Sequence, residues 1–179
     1  MGKITTKLKR NIRVIPNFPK KGIMFQDIFS FTEKGKIFND IILNIATLAK
    51  KKKITKLIGI EARGFIFAAA VAFKNKIGFV PIRKKNKLPG KVYKKKYKLE
   101  YGFDEIEIQK DSILKKDNVL IIDDLIATGG TAIASAKLIE KFHPKKPEFF
   151  FVIDLYNLGG SKKLIDLNYK VTSLMKTLG

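Results

Sequence analysis

Cysteine is absent from the 179 residues, which excludes disulfides, thiolate metal sites and a cysteine nucleophile and suits a reducing compartment. Histidine occurs once, as His143 beside Pro144, a poor candidate for imidazole catalysis. No run approaches the ~20 apolar residues of a membrane span. The basic start, Met1 to Arg10, is not followed by the apolar core of a secretory signal. A soluble cytoplasmic protein without a membrane partner is therefore expected. Acidic residues are also scarce, 16 against 37 basic ones, which leaves a formal charge of +21. Such a charge points first to a polyanionic partner. Yet only Arg10, Arg13, Arg63 and Arg83 are arginine; the other basic residues are lysines spread along the whole chain. Nucleic-acid readers lean on arginine forks and stacking aromatics, so the surplus reads as compositional bias and nucleic acid is not expected as a partner.

What is present is an alternation of short apolar runs and amphipathic stretches from Ile54 onward, the pattern of a single α/β domain with a largely parallel sheet. Strands are expected at Lys56–Ile60, Gly78–Ile82, Val119–Ile122 and Glu148–Leu155. Helices are expected at Phe38–Lys50, Phe65–Phe73 and Thr131–Phe142. Residues 1–35, with Pro16, Pro19 and Gly22, read as an irregular cap. Residues 84–102 carry Pro89, Gly90, several lysines and three tyrosines, and read as a long flexible loop of the kind that serves as a lid.

The most informative segment runs from Val119 to Thr131, where a buried strand ends in Asp123 and Asp124 and turns through Ala127, Thr128, Gly129 and Gly130 into a helix beginning near Thr131. Glycines let backbone N–H groups approach an anion, the helix start adds positive potential, and the threonine hydroxyls donate further bonds. Two carboxylates in front of a phosphate cradle are unfavourable unless the ligand offers hydroxyls or developing positive charge, as a ribose phosphate does. The segment lacks the Gly-Lys-Ser/Thr of a P-loop and the three-glycine spacing of a dinucleotide site.

The same segment closely resembles the binding signature for phosphoribosyl pyrophosphate (PRPP) of type I phosphoribosyltransferases. Pro16–Ile28, Glu61–Phe65, Lys87–Gly90, Leu99–Gly102 and Ile153–Gly160 are similar to the adenine-using branch of that family, in its order. The resemblance implies a type I phosphoribosyltransferase fold, a largely parallel central sheet flanked by helices, with an N-terminal hood over residues 1–35 and a catalytic flap over 84–102. It further implies that Ala127, Thr128, Gly129, Gly130 and Thr131 hold the 5′-phosphate. Asp123 and Asp124 would hold the ribose hydroxyls, and Asp124 would also face the positive charge that develops on the sugar. Arg63 would take the pyrophosphate, and Glu100 would be the acid–base group brought in by the flap. Arg83 and Lys87 either add charge to the pyrophosphate site or belong to a solvated basic face. Met24, Phe25 and Gln26 would read adenine, Phe25 by stacking and its neighbours by backbone. Many relatives carry arginine where this chain has Gln26. Magnesium is expected on the polyphosphate, with no dedicated protein ligand, and a homodimer is implied. Two other functions remain open at this stage: a sibling enzyme using a 6-oxopurine, and a PRPP-sensing regulator that binds nucleic acid.

Overall fold

The computed structural model describes residues 2–98, 102–142 and 146–179. Its centre is a seven-stranded sheet in the order β5-β6-β4-β3-β7-β8-β9. The strands are β3 (Lys56–Ile60), β4 (Gly78–Lys84), β5 (Val92–Lys98), β6 (Phe103–Gln109), β7 (Val119–Ile126), β8 (Glu148–Leu155) and β9 (Val171–Thr177). Strands β3, β4, β7, β8 and β9 are parallel, whereas β5 and β6 form an antiparallel hairpin joined to the edge of β4. Helices α3 (Gly35–Lys51), α4 (Arg63–Asn75), α5 (Gly130–Ile139) and α6 (Gly160–Asp166) cover the sheet.

The two-residue period of the strands divides the core. Leu57, Leu120, Ile122, Phe150 and Val152 point to the face covered by α3 and α4. Ile58, Ile60, Ile121, Phe149 and Phe151 point to the face covered by α5 and α6. Central strands buried on both sides carry apolar residues at successive positions, so they read as continuous apolar runs. Helix α3 follows the same logic at helical spacing: Ile37, Ile41, Ile45 and Ala49 are buried along one stripe.

After β3 the chain builds β4 on one side, and after β7 it builds β8 on the other. Helices α4 and α5 therefore diverge above the β3/β7 seam, leaving a crevice at the carboxyl ends of these strands. Open α/β sheets bind ligands at such a crossover.

Two stretches differ from the sequence expectation. The first 35 residues contain a regular helix, α1 (Gly2–Asn11), and a small hairpin of β1 (Arg13–Pro16) with β2 (Met24–Asp27), followed by the short α2 (Phe29–Thr32). Ile4 and Leu8 of α1 are buried in the main core, and the Thr5 hydroxyl donates to the Leu174 carbonyl at 2.7 Å. This segment is thus partly a core layer, not only a cap. Likewise, residues 84–102 contain strand β5, which is in register with β6 from Val92↔Gln109 to Lys98↔Phe103.

Candidate active site

The crevice over the seam is a cavity of about 330 Å³, lined by the ends of β3 and β7, the turn into α5 and the hairpin side chains Tyr97 and Asp104. Every residue expected to grip the sugar phosphate lines it: Asp123, Asp124, Ala127, Thr128, Gly129, Gly130 and Thr131, with Arg63 from the start of α4. Glu61 and Lys84 line it as well.

The phosphate turn is shaped by a backbone-to-backbone contact. Gly129 precedes α5 with a φ of 85°, a conformation that costs glycine little. Behind it, the Gly160 N–H donates to the Ala127 carbonyl at 3.0 Å. A Cβ on Gly160 would stand 2.3 Å from that carbonyl oxygen and 2.7 Å from the Gly129 nitrogen. The Lys163 ammonium adds a bond to the Thr128 carbonyl at 3.1 Å. The segment around α6, late in the chain, therefore acts as a brace for the turn. The turn leads into the first N–H groups of α5, which have no partner within the helix and favour an anion.

The adjoining carboxylates are electrostatically tense. Asp124 is 2% exposed, and its Oδ2 lies 2.9 Å from Arg63 Nε. Asp123 Oδ1 accepts the Asp124 backbone N–H at 2.9 Å. Burial, and then the negative charge of Asp124, push the Asp123 carboxyl well above the usual carboxylate range. Burial also pushes Asp124 up, against the pull of Arg63. The pair consequently favours partners that give hydrogen bonds or positive charge.

The sign of this shift yields a stability prediction. A carboxyl that titrates higher in the folded state than its unfolded value of 3.8 makes the fold lose stability as pH rises through the interval between the two. Above that interval the whole cost is present, and below 3.8 it is absent. Asp123→Asn keeps the Oδ1 acceptor and removes the charge. The ligand-free variant should melt about 2–4 °C higher at neutral pH, the shift that ~1 kcal/mol produces in a chain of this size. The gain should vanish in acid, and thermal melts across pH measure it.

Other expected residues are arranged differently. Arg83 does not line the cavity: its Nε and Nη2 reach the Glu61 carboxylate at 3.2 and 3.3 Å, and its Nη1 donates to the Lys87 carbonyl at 3.1 Å. Lys87 likewise is not among the lining residues. Burial works to raise the Glu61 pKa, but the Lys84 N–H and the Arg83 guanidinium outweigh it and hold the carboxyl below the ordinary range. In the hood, the Phe25 ring lies beneath the Arg63 guanidinium, 5.8 Å from centroid to Cζ, and packs edge-on against Phe18. Phe25 thus borders Arg63 but does not itself line the cavity. Met24 is exposed, whereas Gln26 is 4% exposed and its Nε2 donates to the Met24 carbonyl at 3.3 Å. Glu100 lies outside the described residues.

Sequence reasoning missed Lys84, Tyr97 and Asp104. Tyr97 and Asp104 sit directly opposite each other across β5 and β6, and the Tyr97 hydroxyl donates to Asp104 Oδ2 at 3.3 Å. Burial raises the Tyr97 pKa. The alternation Val92-Tyr93-Lys94-Lys95-Lys96-Tyr97 was the available signal: both tyrosines fall on positions that turn inward.

The chain matches the family model for a phosphoribosyl transferase domain over residues 30–174. It is 51% identical to the adenine phosphoribosyltransferase of Pelagibacter ubique, over 94% of this chain and 96% of that protein. Identity to the enzyme of the same name from Clostridium botulinum is 48%, over 94% and 97%. Among solved structures, the adenine phosphoribosyltransferase of Thermoanaerobacter pseudethanolicus superposes with a TM-score of 0.90 at 43% identity, covering 97% of this chain and 99% of that one. The Saccharomyces cerevisiae enzyme, solved with an imino-altritol bisphosphate and adenine, gives 0.89 at 38% identity, covering 97% and 99%.

Proposed function

The chain belongs to the adenine phosphoribosyltransferase family, and we infer that it transfers the 5-phosphoribosyl group of PRPP to adenine, giving AMP and pyrophosphate in purine salvage. The observation that carries this reading is the conjunction, in one crevice, of the braced phosphate turn, the two adjoining carboxylates and Arg63.

The C1′–O bond of PRPP breaks with its electron pair leaving on pyrophosphate, and adenine N9 forms the new bond to C1′ and loses its proton. Positive charge develops on the sugar and negative charge on the leaving group, so the protein must stabilise both. Asp123 and Asp124 accept hydrogen bonds from the ribose hydroxyls, and Asp124 faces the sugar cation. Arg63 offers the leaving pyrophosphate a permanently charged fork, held in reach of the sugar by Asp124. Arg83 serves the pyrophosphate only by exchanging Glu61 for it, with Lys87 alongside. Glu100 takes the proton from the base, and closure of residues 84–102 keeps water from competing with adenine.

Phe25 stacks on the base. The Gln26 Nε2 donates to the Met24 carbonyl, and the backbone of Met24 and Gln26 reads the base edge. Asp123 and Asp124, both pushed toward protonation by burial, would face a magnesium ion carried by the polyphosphate, and that ion would supply neutralisation of the leaving charge. A cytoplasmic homodimer completes the reading. Phe73 on α4, 89% exposed, and Phe103, 75% exposed, are apolar surface that a second copy would cover.

The test is AMP formation from adenine, PRPP and magnesium ion, with guanine, hypoxanthine and xanthine in parallel. Turnover with adenine alone is expected; preference for a 6-oxopurine would overturn the base assignment.

A further inference from the structure

Asp104 introduces a fourth acidic side chain, after Glu61, Asp123 and Asp124, from the lid hairpin into a cavity read as a polyphosphate site. Its carboxylate is fully engaged. Oδ1 accepts the Glu105 backbone N–H at 2.8 Å, Oδ2 accepts the Tyr97 hydroxyl at 3.3 Å, and Lys84 Nζ pairs with Oδ2 at 3.4 Å. Tyr97, Asp104 and Lys84 all line the cavity. The hairpin lies close over the phosphate turn, since a Cβ on Gly130 would be 3.3 Å from the Lys98 carbonyl oxygen and 3.6 Å from Tyr97 Cδ2.

A carboxylate oxygen and a phosphate oxygen ask for the same donors. The donors Asp104 holds, an ammonium and a phenol hydroxyl, are those a polyphosphate entering this cavity would claim. Asp104 also repels that polyphosphate. We propose that Asp104 is an internal competitor of the polyphosphate: it occupies Lys84 and Tyr97 in the ligand-free enzyme and sets PRPP and pyrophosphate affinity below what the cavity would otherwise give. Binding then exchanges one anion for another beside the Tyr97–Asp104 pair of the hairpin, so release of pyrophosphate is aided by the carboxylate returning to its donors. The inference rests on the reading of this cavity as the PRPP site.

The alternative role for Asp104, a tie that merely stiffens the hairpin, predicts an effect of opposite sign. Losing a stiffening tie loosens the site and weakens binding; losing a competitor tightens it. Asp104→Asn should bind pyrophosphate about threefold to tenfold more tightly by calorimetry and show a KM for PRPP lower by a similar factor, the range expected for a partly screened charge contact. The gain should be abolished in the Lys84→Met background. Asp104→Ser serves as a second variant if the asparagine form does not fold, with the same expected sign. Unchanged or weaker pyrophosphate binding by a folded variant, with wild-type turnover intact, overturns the role of Asp104 alone. Absence of both PRPP binding and AMP formation in the wild-type chain overturns the underlying reading.

Discussion

Asp124→Asn is expected to lower turnover by about 10³-fold, the upper end of what removal of one preorganised charge costs at a reacting centre. The side chain is 2% exposed, and its carboxylate pairs with Arg63. Little solvent is at hand to screen it, so its charge acts on the sugar at low dielectric. Asparagine keeps the size and one acceptor oxygen, so hydroxyl contacts and folding persist while stabilisation of the ribosyl cation is lost. The loss should therefore fall on kcat, with the KM for PRPP moved far less. Steady-state kinetics beside a thermal melt separate the outcomes, and near-normal kcat would remove Asp124 from the transition state.

Gly160→Ala is expected to raise the KM for PRPP at least about 100-fold, although residue 160 touches no substrate in the proposed chemistry. The added Cβ would stand 2.3 Å from the Ala127 carbonyl oxygen and 2.9 Å from Ile126 Cγ1. Neither neighbour can yield cheaply, because Ala127 belongs to the phosphate turn and Ile126 is buried in the core. The turn must shift by a large fraction of an ångström, and misplacement of about 1 Å at a positioned group costs about 10²-fold. The Gly160 N–H bond to Ala127 would be broken in the same movement. Pyrophosphate binding governed by other groups should suffer less, so comparing ribose 5-phosphate with pyrophosphate as inhibitors localises the damage. An unaltered KM for PRPP would mean that the brace is dispensable.

These two residues differ in how visible they are beforehand. Asp124 and the turn after it were legible because the buried strand, its terminal acids and the glycine loop are contiguous. Local sequence there dictates local structure, and the chemistry of the residue types follows. Gly160 could be placed in a motif but not given a task, since its partner Ala127 lies 33 positions earlier and only the fold brings them together. The same holds for Asp104 and Lys84. Their meeting depends on hairpin register, which no single segment encodes. Strand β5 was obscured by its own chemistry: three consecutive lysines hide its alternation, yet lysine suits an exposed edge strand that must not pair with other chains. Helix α1 has only Ile4 and Leu8 buried among basic residues, too short a stripe to be distinguished from a coil by periodicity. Arg83 shows the reverse limit. Its charge is evident, but its partnership with Glu61 arises only where the fold brings the ends of β3 and β4 together.

The seam at the middle of the sheet carries one more implication. Strand β7 is in register with β3 only from Val119 to Ile122, while on its other side the pairing with β8 runs on to Ile126. For its last four residues a central strand thus presents the frontage of a border strand, in the heart of the molecule. A nucleotide held in the crevice would cover that frontage as a missing neighbour would, so amide protons in residues 123–126 should exchange with deuterated solvent more slowly once AMP is present.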